Sequence, residues 1–363
     1  MYNYYYLNTQ KKIAHLNYVS YLLAPNLISN KELVKRYPEY TEEQIFKNTG
    51  INNRYAVDKG GLSSDFATQC GEKFFSEFPV KKEDINFLIF CTEGPDYIAP
   101  ATSCIIQHKL GLSTTIGTID LSFGCSGYTY GLSIAKAIVE SGMAKNVLFI
   151  TADIPTQVLP PNDAHLHFLF SDGATTTLIT LEEKGQSIGN FTFGTNGAGE
   201  ENLRVRNSAF CEPKNSNWYN NNSNKDLPVG RMEMNGEAIF RFSIDKVPQL
   251  IEQVLDKNNC KQDDIDLFIF HQASSIILKS LKRKLKIPDE KFFSNLADVG
   301  NTVSASIPIA FVEAKKQGTT TPRADARPPR RPAPGHAVWR RCRSAPRRRP
   351  RPAPARFPAS TAR

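Results

Sequence analysis

The chain has 363 residues and a mass of 40.6 kDa, which is enough for two core domains and too much for a small disulfide scaffold. Its formal net charge of +9 suggests a nucleic-acid partner, but residues 319–363 alone hold 13 Arg and one Asp, so the first 318 residues carry about −3. The charge of the main body therefore argues against binding to nucleic acid.

The N-terminus and the cysteines favour a cytoplasmic protein. Residues 1–12, MYNYYYLNTQKK, contain no apolar run with a cleavage site, so we expect no signal peptide. Apolar stretches such as residues 147–150 are far too short to span a bilayer, so we expect no membrane contact. The seven cysteines are odd in number and form no CxxC pair, which favours a reduced chain without a metal centre.

An internal repeat is visible along the chain. Residues 81–91, KKEDINFLIFC, align with residues 261–271, KQDDIDLFIFH, at an offset of 180. Each segment is typical of a polar turn that leads into a buried strand. Two sets of landmarks in the same order indicate a duplicated half.

The second set of landmarks has an offset of 176. Gly124-Cys125 aligns with Gly300-Asn301, and Gly142 aligns with Gly318 at the end of the next helical stretch. The repeat predicts three parts, which are an N-terminal half over 1–185, a C-terminal half over 186–318 and a separate segment over 319–363.

Strands and helices alternate in both halves. The sequence predicts helices over 128–140 and 248–255, and strands over 147–152 and 170–183. This alternation is typical of an α/β fold with a largely parallel sheet whose strands are joined by helical crossovers.

Cys125 is the strongest candidate for a nucleophile. It lies between Gly124 and Gly127, after an apolar strand and before a helix, so its thiol is placed at a helix N-terminus. Unpaired N–H groups and the positive end of the helix dipole favour the thiolate there, and we expect a lowered pKa. Four other cysteines are predicted to be small buried residues without a catalytic role, which are Cys70, Cys104, Cys211 and Cys260.

His271 and Asn301 are the candidate partners of this cysteine. His271 ends a strand, where open α/β sheets bind ligands, and Asn301 holds the repeat position of Cys125. The repeat thus predicts that all three side chains lie at corresponding strand ends. His165 and His167 form an HxH pattern, but no third metal ligand is near in sequence, so we interpret them as loop histidines.

These motifs resemble the β-ketoacyl-ACP synthase III branch of the thiolase superfamily. GCSGY around Cys125, HQAS at 271–274 and GNTVSASIP at 300–308 are similar to the three active-site motifs of that branch. The likeness extends over most of residues 16–318 and includes NTGINNR, LFSDGA and MNGEAIF.

The resemblance implies a homodimer with a five-layered αβαβα fold made of two duplicated halves. It also implies that Cys125 takes an acyl group from acyl-CoA or acyl-ACP, and that malonyl-ACP then decarboxylates while His271 and Asn301 donate hydrogen bonds to the enolate. Acyl carrier protein would be the partner, and no cofactor would be needed beyond thioester substrates. A papain-like protease also uses Cys, His and Asn, but in a two-lobed fold without a duplicated sheet.

Three positions depart from the family pattern. Gln44 and Asn48 replace a Trp and an Arg that hold the CoA adenine, and Ser274 replaces the Asn of the HQAN motif. They are weak candidates for substrate binding. Their departure from the family pattern leaves open an alternative function, an acyltransferase that passes its acyl group to an oxygen or nitrogen nucleophile. A non-catalytic truncated paralogue is a further alternative.

The third part, residues 319–363, differs in composition from the rest of the chain. It contains ten Pro and nine Ala beside its Arg residues and no Lys. Such a segment cannot build a core, so we expect it to be disordered. Its residue composition is typical of a different codon bias, which indicates a frameshift or another artefact. The closing strands and glycine-rich loop of the second half are then expected to be missing. The alternative is an Arg-rich arm that binds phosphate backbones.

Overall fold

The computed structural model describes residues 13–182, 187–206, 208 and 230–319. These residues belong to one unit, Met1–Thr321, and a second unit, Pro322–Arg363, lies outside the described residues. The tail predicted over 319–363 and the predicted loss of closing strands therefore fall, apart from Thr319, on residues that the structure does not describe.

The described residues form eleven strands and ten α-helices. The strands are β1 (Ile13–Leu23), β2 (Asn26–Ser29), β3 (Asn53–Ala56), β4 (Phe87–Thr92), β5 (Gly117–Ser122), β6 (Asn146–Asp153), β7 (Gly173–Glu182), β8 (Leu203–Arg206), β9 (Arg231–Met234), β10 (Phe268–Ile269) and β11 (Phe292–Phe293). The helices are α1 (Asn30–Arg36), α2 (Glu42–Thr49), α3 (Ser63–Glu77), α4 (Thr102–Lys109), α5 (Gly127–Glu140), α6 (Ala164–His167), α7 (Gly236–Lys257), α8 (Ser275–Lys284), α9 (Leu296–Val299) and α10 (Ser306–Lys316).

Five strands form the central sheet in the order β1-β7-β6-β4-β5. Strand β4 pairs in parallel with β5 and β6, as predicted, but β7 is antiparallel to both β6 and β1. The prediction of a largely parallel sheet is wrong on that side. Residues 154–172 contain a 3₁₀ turn over Pro155–Gln157 and the four-residue α6, and they return the chain at the same end of the sheet, where Asp153 pairs with Gly173. For β7 to pair in parallel with β6, the connection would have to cross over to the opposite end of the sheet.

The predicted elements of the first half are present with shifted ends. Helix α5 and strand β6 confirm the predictions for 128–140 and 147–152, and β7 begins at Gly173 rather than at residue 170. Helix α7 includes the predicted 248–255 but spans 22 residues, none of them buried. Strand β1 had no sequence prediction.

The internal repeat recurs in local structure. A 3₁₀ turn over Lys82–Asp84 precedes β4, and at an offset of 180 a second one over Gln262–Asp264 precedes β10. After α5 and α10, Gly142 and Gly318 have φ values of 83° and 73°. Only glycine adopts this conformation freely, so both helices end in the same kind of turn.

Helices and sheets alternate in five layers. Helices α3 and α4 pack on one face of the central sheet and α5 packs on the other, where Phe149 contacts Gly131 closely. Helix α10 packs Ile309 against β1 and Ala310 against Phe293 of the β10–β11 pair. Helices α7 and α8 form the outer layer. This arrangement places the N-terminus of α5 next to that of α10.

The cysteines differ in their surroundings. Cys70 and Cys91 are buried, whereas Cys104 is exposed and Cys260 is partly exposed, so the prediction of burial is wrong for Cys104. Cys104 lies on α4, and its Sγ is 3.4 Å from the hydroxyl of Thr118 on β5. Cys211 and Cys342 lie outside the described residues. Within the described ranges, no helix is long and apolar enough to cross a membrane.

Candidate active site

Cys125 lies in the turn between β5 and α5, as the sequence predicts. Strand β5 ends at Ser122 and the helix begins at Gly127, with Ser126 as the N-cap. No side chain caps this helix N-terminus, and the Gly127 N–H donates to the Gly124 carbonyl at 2.8 Å. Cys125 is partly exposed as a residue.

The predicted lowering of the Cys125 pKa is wrong. Desolvation, followed by the charges of Glu93 and Asp153, raises the pKa of the Cys125 thiol to about 12. Desolvation can shift the pKa of a buried group by about 3–5 units, whereas a helix terminus contributes up to about 2 kcal/mol, or roughly 1.5 units. Desolvation therefore outweighs the helix dipole, and at neutral pH the resting cysteine is a thiol.

His271 follows β10, and contacts with the start of α10 fix its ring. Its Nδ1 is 2.7 Å from Oγ of Ser306, and the ring also hydrogen-bonds to the Val303 backbone. The Gln272 N–H donates to the same Ser306 Oγ at 3.3 Å. Desolvation lowers the pKa of His271 to about 4, so the imidazole is neutral at pH 7 and can donate only one hydrogen bond.

Asn301 is held by hydrogen bonds of its backbone and of its side chain. Its N–H donates to the Leu169 carbonyl at 3.0 Å, and its own carbonyl accepts from the Ser171 N–H at 2.9 Å. Its Oδ1 accepts from the Val303 N–H at 3.0 Å. The oxygen of the amide is therefore occupied, which leaves the Nδ2 group of this buried residue as a donor.

A short segment, residues 301–306, brings the three predicted residues together. A Cβ atom on Gly124 would lie 3.3 Å from Val303 Cγ1, and one on Gly127 would lie 3.3 Å from Ser304 Cβ. The segment therefore contacts both sides of the Cys125 turn, contains Asn301 and fixes His271. Val303 has a φ of 51°, which is rare for a β-branched residue and allows this tight path.

Two buried carboxyl groups lie beneath the Cys125 turn, and the sequence analysis missed both. Asp153 ends β6 and accepts hydrogen bonds from the Glu93 N–H at 2.9 Å, from the Ser304 N–H at 3.0 Å and from the Ser304 hydroxyl. Glu93 follows β4, and its carboxyl lies against Gly124. The available signal was an acidic residue directly after a strongly apolar strand, since parallel strands end at one edge of the sheet.

An apolar cluster adjoins Cys125 on the other side. Cys125 packs against a group of buried side chains, which are Leu159, Leu166, Phe170, Met232 and Val303. Strands β8 and β9 pair antiparallel and add Leu203, Val205 and Met234 to this cluster. No sequence motif pointed to it, because its members come from four separate stretches of the chain.

The weaker candidates have local structural roles. Gln44 completes a capping box at the start of α2, where its Oε1 accepts from the Thr41 N–H at 2.9 Å. Asn48 is exposed on the same helix. Ser274 is the N-cap of α8 and accepts from the Ile277 N–H at 3.3 Å. None of these three is brought to Cys125 by a contact in the structure.

The HxH histidines lie in α6 rather than in a loop. Nδ1 of His167 is 3.4 Å from the Arg36 guanidinium, and the His165 ring lies edge-on to Tyr40. In the part of the chain that the structure describes, no group of three His, Cys, Asp or Glu side chains could hold a metal ion.

Two family models match the chain. The model for 3-oxoacyl-[acyl-carrier-protein (ACP)] synthase III matches residues 119–197, and the model for the C terminal part of that synthase matches residues 255–326. Cys125 falls in the first match, and His271 and Asn301 fall in the second. The beta-ketoacyl-[acyl-carrier-protein] synthase III of Fusobacterium nucleatum is 33% identical over 300 residues, which are 83% of this chain and 89% of that protein.

Solved structures support the same relationship. A crystal structure of a 3-oxoacyl-(acyl-carrier-protein) synthase III superposes with a TM-score of 0.80 at 35% identity and covers 85% of this chain and 93% of that one. The synthase III of Aquifex aeolicus VF5 superposes with a TM-score of 0.74 at 30% identity, with coverage of 85% and 92%. The predicted thiolase-like α/β fold is therefore confirmed.

The hydrogen bonds of Asp153 predict a large effect of its removal. Asp153→Ala leaves the N–H groups of Glu93 and Ser304 without their acceptor. At about 1–3 kcal/mol for each unsatisfied donor, we expect the free energy of unfolding to fall by roughly 2–6 kcal/mol in urea denaturation at pH 7. The control Asp263→Ala, at an exposed position, should change it by less than about 0.5 kcal/mol. Equal stability of the two variants would show that Asp153 does not anchor residues 301–306.

Proposed function

Because the chain belongs to the 3-oxoacyl-[acyl-carrier-protein] synthase III family of condensing enzymes, we propose that Cys125, His271 and Asn301 are its catalytic residues. The observation that carries this proposal is the path of residues 301–306. This segment contacts the Cys125 turn, contains Asn301 and fixes His271. A nucleophile and two hydrogen-bond donors thus share one small region, as an acyl-transfer reaction with a developing enolate requires.

In the first half-reaction, Cys125 becomes acylated. Its sulfur attacks the carbonyl carbon of an acyl thioester, the donor thiol leaves, and the proton of Cys125 is transferred to that thiol. The positive end of the α5 helix dipole stabilises negative charge as the thiol ionises. The apolar cluster beside Cys125 suits the hydrocarbon part of an acyl group.

In the second half-reaction, a malonyl thioester loses CO₂ and its electrons pass to the thioester oxygen as an enolate. Asn301 Nδ2 donates to that oxygen, since its Oδ1 is held by Val303. His271 donates its single N–H to the same oxygen in place of the Val303 backbone, and that N–H is on Nε2 because Ser306 can give its hydroxyl proton to Nδ1. The neutral state of His271 fits a hydrogen-bond donor rather than a proton source. The enolate carbon then attacks the acyl-cysteine, and the Cys125 thiolate leaves.

We assign acyl-CoA or acyl-ACP as the donor and malonyl-ACP as the acceptor, with acyl carrier protein as the partner. Support comes from the relatives, whose names specify an acyl carrier protein. The Gln44 side chain takes part in a capping box. This position therefore gives no reason to prefer acyl-CoA, whose adenine it would contact, to acyl-ACP as the donor. Parallel assays with the two donors decide between them.

Cys125 is expected to carry the acyl group. After incubation with acetyl-CoA or with acetyl-ACP, peptide mapping by mass spectrometry should find an acetyl thioester on the Cys125 peptide and none on that of the buried Cys91. The exposed Cys104 serves as the internal control for non-specific transfer. Label on Cys91 alone, or equal label on Cys104 and Cys125, would contradict the assignment.

His271 and Asn301 are expected to act mainly in the malonyl half-reaction. His271→Ala or Asn301→Ala should slow malonyl-ACP decarboxylation by roughly 100- to 1,000-fold, because each removes one donor to the enolate oxygen. Acylation of Cys125 should stay within about tenfold of the unmodified protein, since the nucleophile is intact. The control is His108→Ala, at an exposed position of α4. The roles are wrong if both variants lose acylation but retain decarboxylation.

We also propose that the protein is a homodimer that forms through β5. This strand is an edge of the central sheet, and Ile119 on it is 39% exposed. An unpaired apolar edge strand favours pairing with a second copy about a twofold axis. Analytical ultracentrifugation should give twice the 40.6 kDa chain mass, and Ile119→Lys should shift it to the monomer. Met143→Lys, at a residue that is 70% exposed after α5, is the control. A monomer before any substitution would exclude the dimer.

A further inference from the structure

Glu93 lies against the catalytic turn without a role in the reaction described above. It directly follows β4, and a Cβ atom on Gly124 would lie only 2.5 Å from its Oε2. Gly124 precedes the candidate nucleophile, so the absence of a side chain there is what lets the carboxyl group approach the Cys125 turn this closely.

The environment of this carboxyl group makes its ionisation unfavourable. Oε1 of Glu93 is buried and makes no hydrogen bond to any residue that the structure describes. Oε2 lies against the backbone of Gly124. Burial of an oxygen without a donor disfavours the charged form, so the group is held as a neutral acid.

Asp153 strengthens this preference. Its carboxylate accepts hydrogen bonds from the Glu93 N–H, the Ser304 N–H and the Ser304 hydroxyl, which stabilise its charged form. Two neighbouring carboxyl groups rarely ionise together, so the pair shares one proton, and the member without donors keeps it. Burial and the charge of Asp153 accordingly raise the pKa of Glu93 to about 8.

The charge on Glu93 matters for Cys125. After desolvation, Glu93 is the largest cause of the raised pKa of the Cys125 thiol, ahead of Asp153. The titratable groups that face Glu93 are Asp153 at the end of β6, Cys91 on β4 and Cys125 before α5. The 301–306 segment, packed above it, brings Ser304 and Val303, which do not titrate.

We propose that Glu93 is a positioning residue that acts through Cys125 by controlling when its thiol can ionise. As a neutral acid it allows the thiolate to form during acyl transfer, and as a carboxylate it holds the proton on sulfur. The rate of acylation then rises with pH up to the neutral range and levels off at alkaline pH, where an ordinary cysteine would continue to become more reactive. This inference rests on the proposed role of Cys125 as the nucleophile.

The test compares the unmodified protein with Glu93→Gln, which keeps the size of the side chain but cannot ionise. Both are treated with iodoacetamide between pH 6 and 10, and the alkylated Cys125 peptide is quantified by mass spectrometry. In Glu93→Gln the alkylation rate should rise tenfold for each pH unit over this range, as for a single thiol. In the unmodified protein the rise should flatten around pH 8, which leaves Glu93→Gln roughly tenfold faster at pH 9.5.

Controls separate this effect from a general change in the protein. Glu252→Gln, at an exposed position of α7, should reproduce the unmodified profile. The alkylation rate of the exposed Cys104 should be the same in all variants. Superimposable Cys125 profiles for the unmodified protein and Glu93→Gln, or a slower Glu93→Gln at pH 9.5, would overturn the inference.

The same experiment keeps the two proposals distinct. Transfer of an acetyl group from acetyl-CoA or acetyl-ACP is measured on the unmodified protein at pH 7. If no acetyl group reaches Cys125 while the two alkylation profiles differ as described, the proposed function fails and the inference on Glu93 stands. If acetyl transfer occurs and the profiles coincide, the function stands and the inference fails.

Discussion

The hydrogen bonds between Asp153 and Ser304 hold the two halves of the site together. Asp153 ends a strand of the central sheet, and Ser304 lies 151 residues later, in the turn before α10. Through this contact the 301–306 segment is fixed against the Cys125 turn, and the positions of Asn301 and His271 follow from it. The same carboxylate also accepts from the Glu93 backbone, so one buried anion organises the ends of β4, β6 and α10.

The resting site keeps its reactive groups uncharged. Desolvation raises the pKa of Cys125 and of Glu93 and lowers that of His271, so at pH 7 these are a thiol, a carboxylic acid and a neutral imidazole. In this arrangement charge develops on the substrate oxygen and on sulfur only during reaction. In the proposed mechanism, a fixed donor such as Asn301 Nδ2 is then worth more than it would be in water.

The duplicated architecture explains how one topology supplies different chemistry. Positions related by the offset of 176 hold Cys125 in one half and Asn301 in the other, and those related by 180 hold Cys91 and His271. In both halves the turn leads into a helix that is followed by a glycine with positive φ. In the proposed mechanism, the duplicated turns thus supply the nucleophile in one half and a hydrogen-bond donor in the other.

The sequence by itself determined the local elements and the candidate residues. The strand-turn-helix around Cys125, the repeat and the family motifs could be found because they depend on periodicity and on residue types close together in the chain. Only the tertiary structure decided the pKa of Cys125, the antiparallel β1 and β7, and the carboxyl pair of Glu93 and Asp153. These depend on contacts between residues far apart in sequence, and desolvation depends on which side chains finally surround a group. A helix N-terminus can be predicted from the sequence, but the burial that outweighs its dipole cannot.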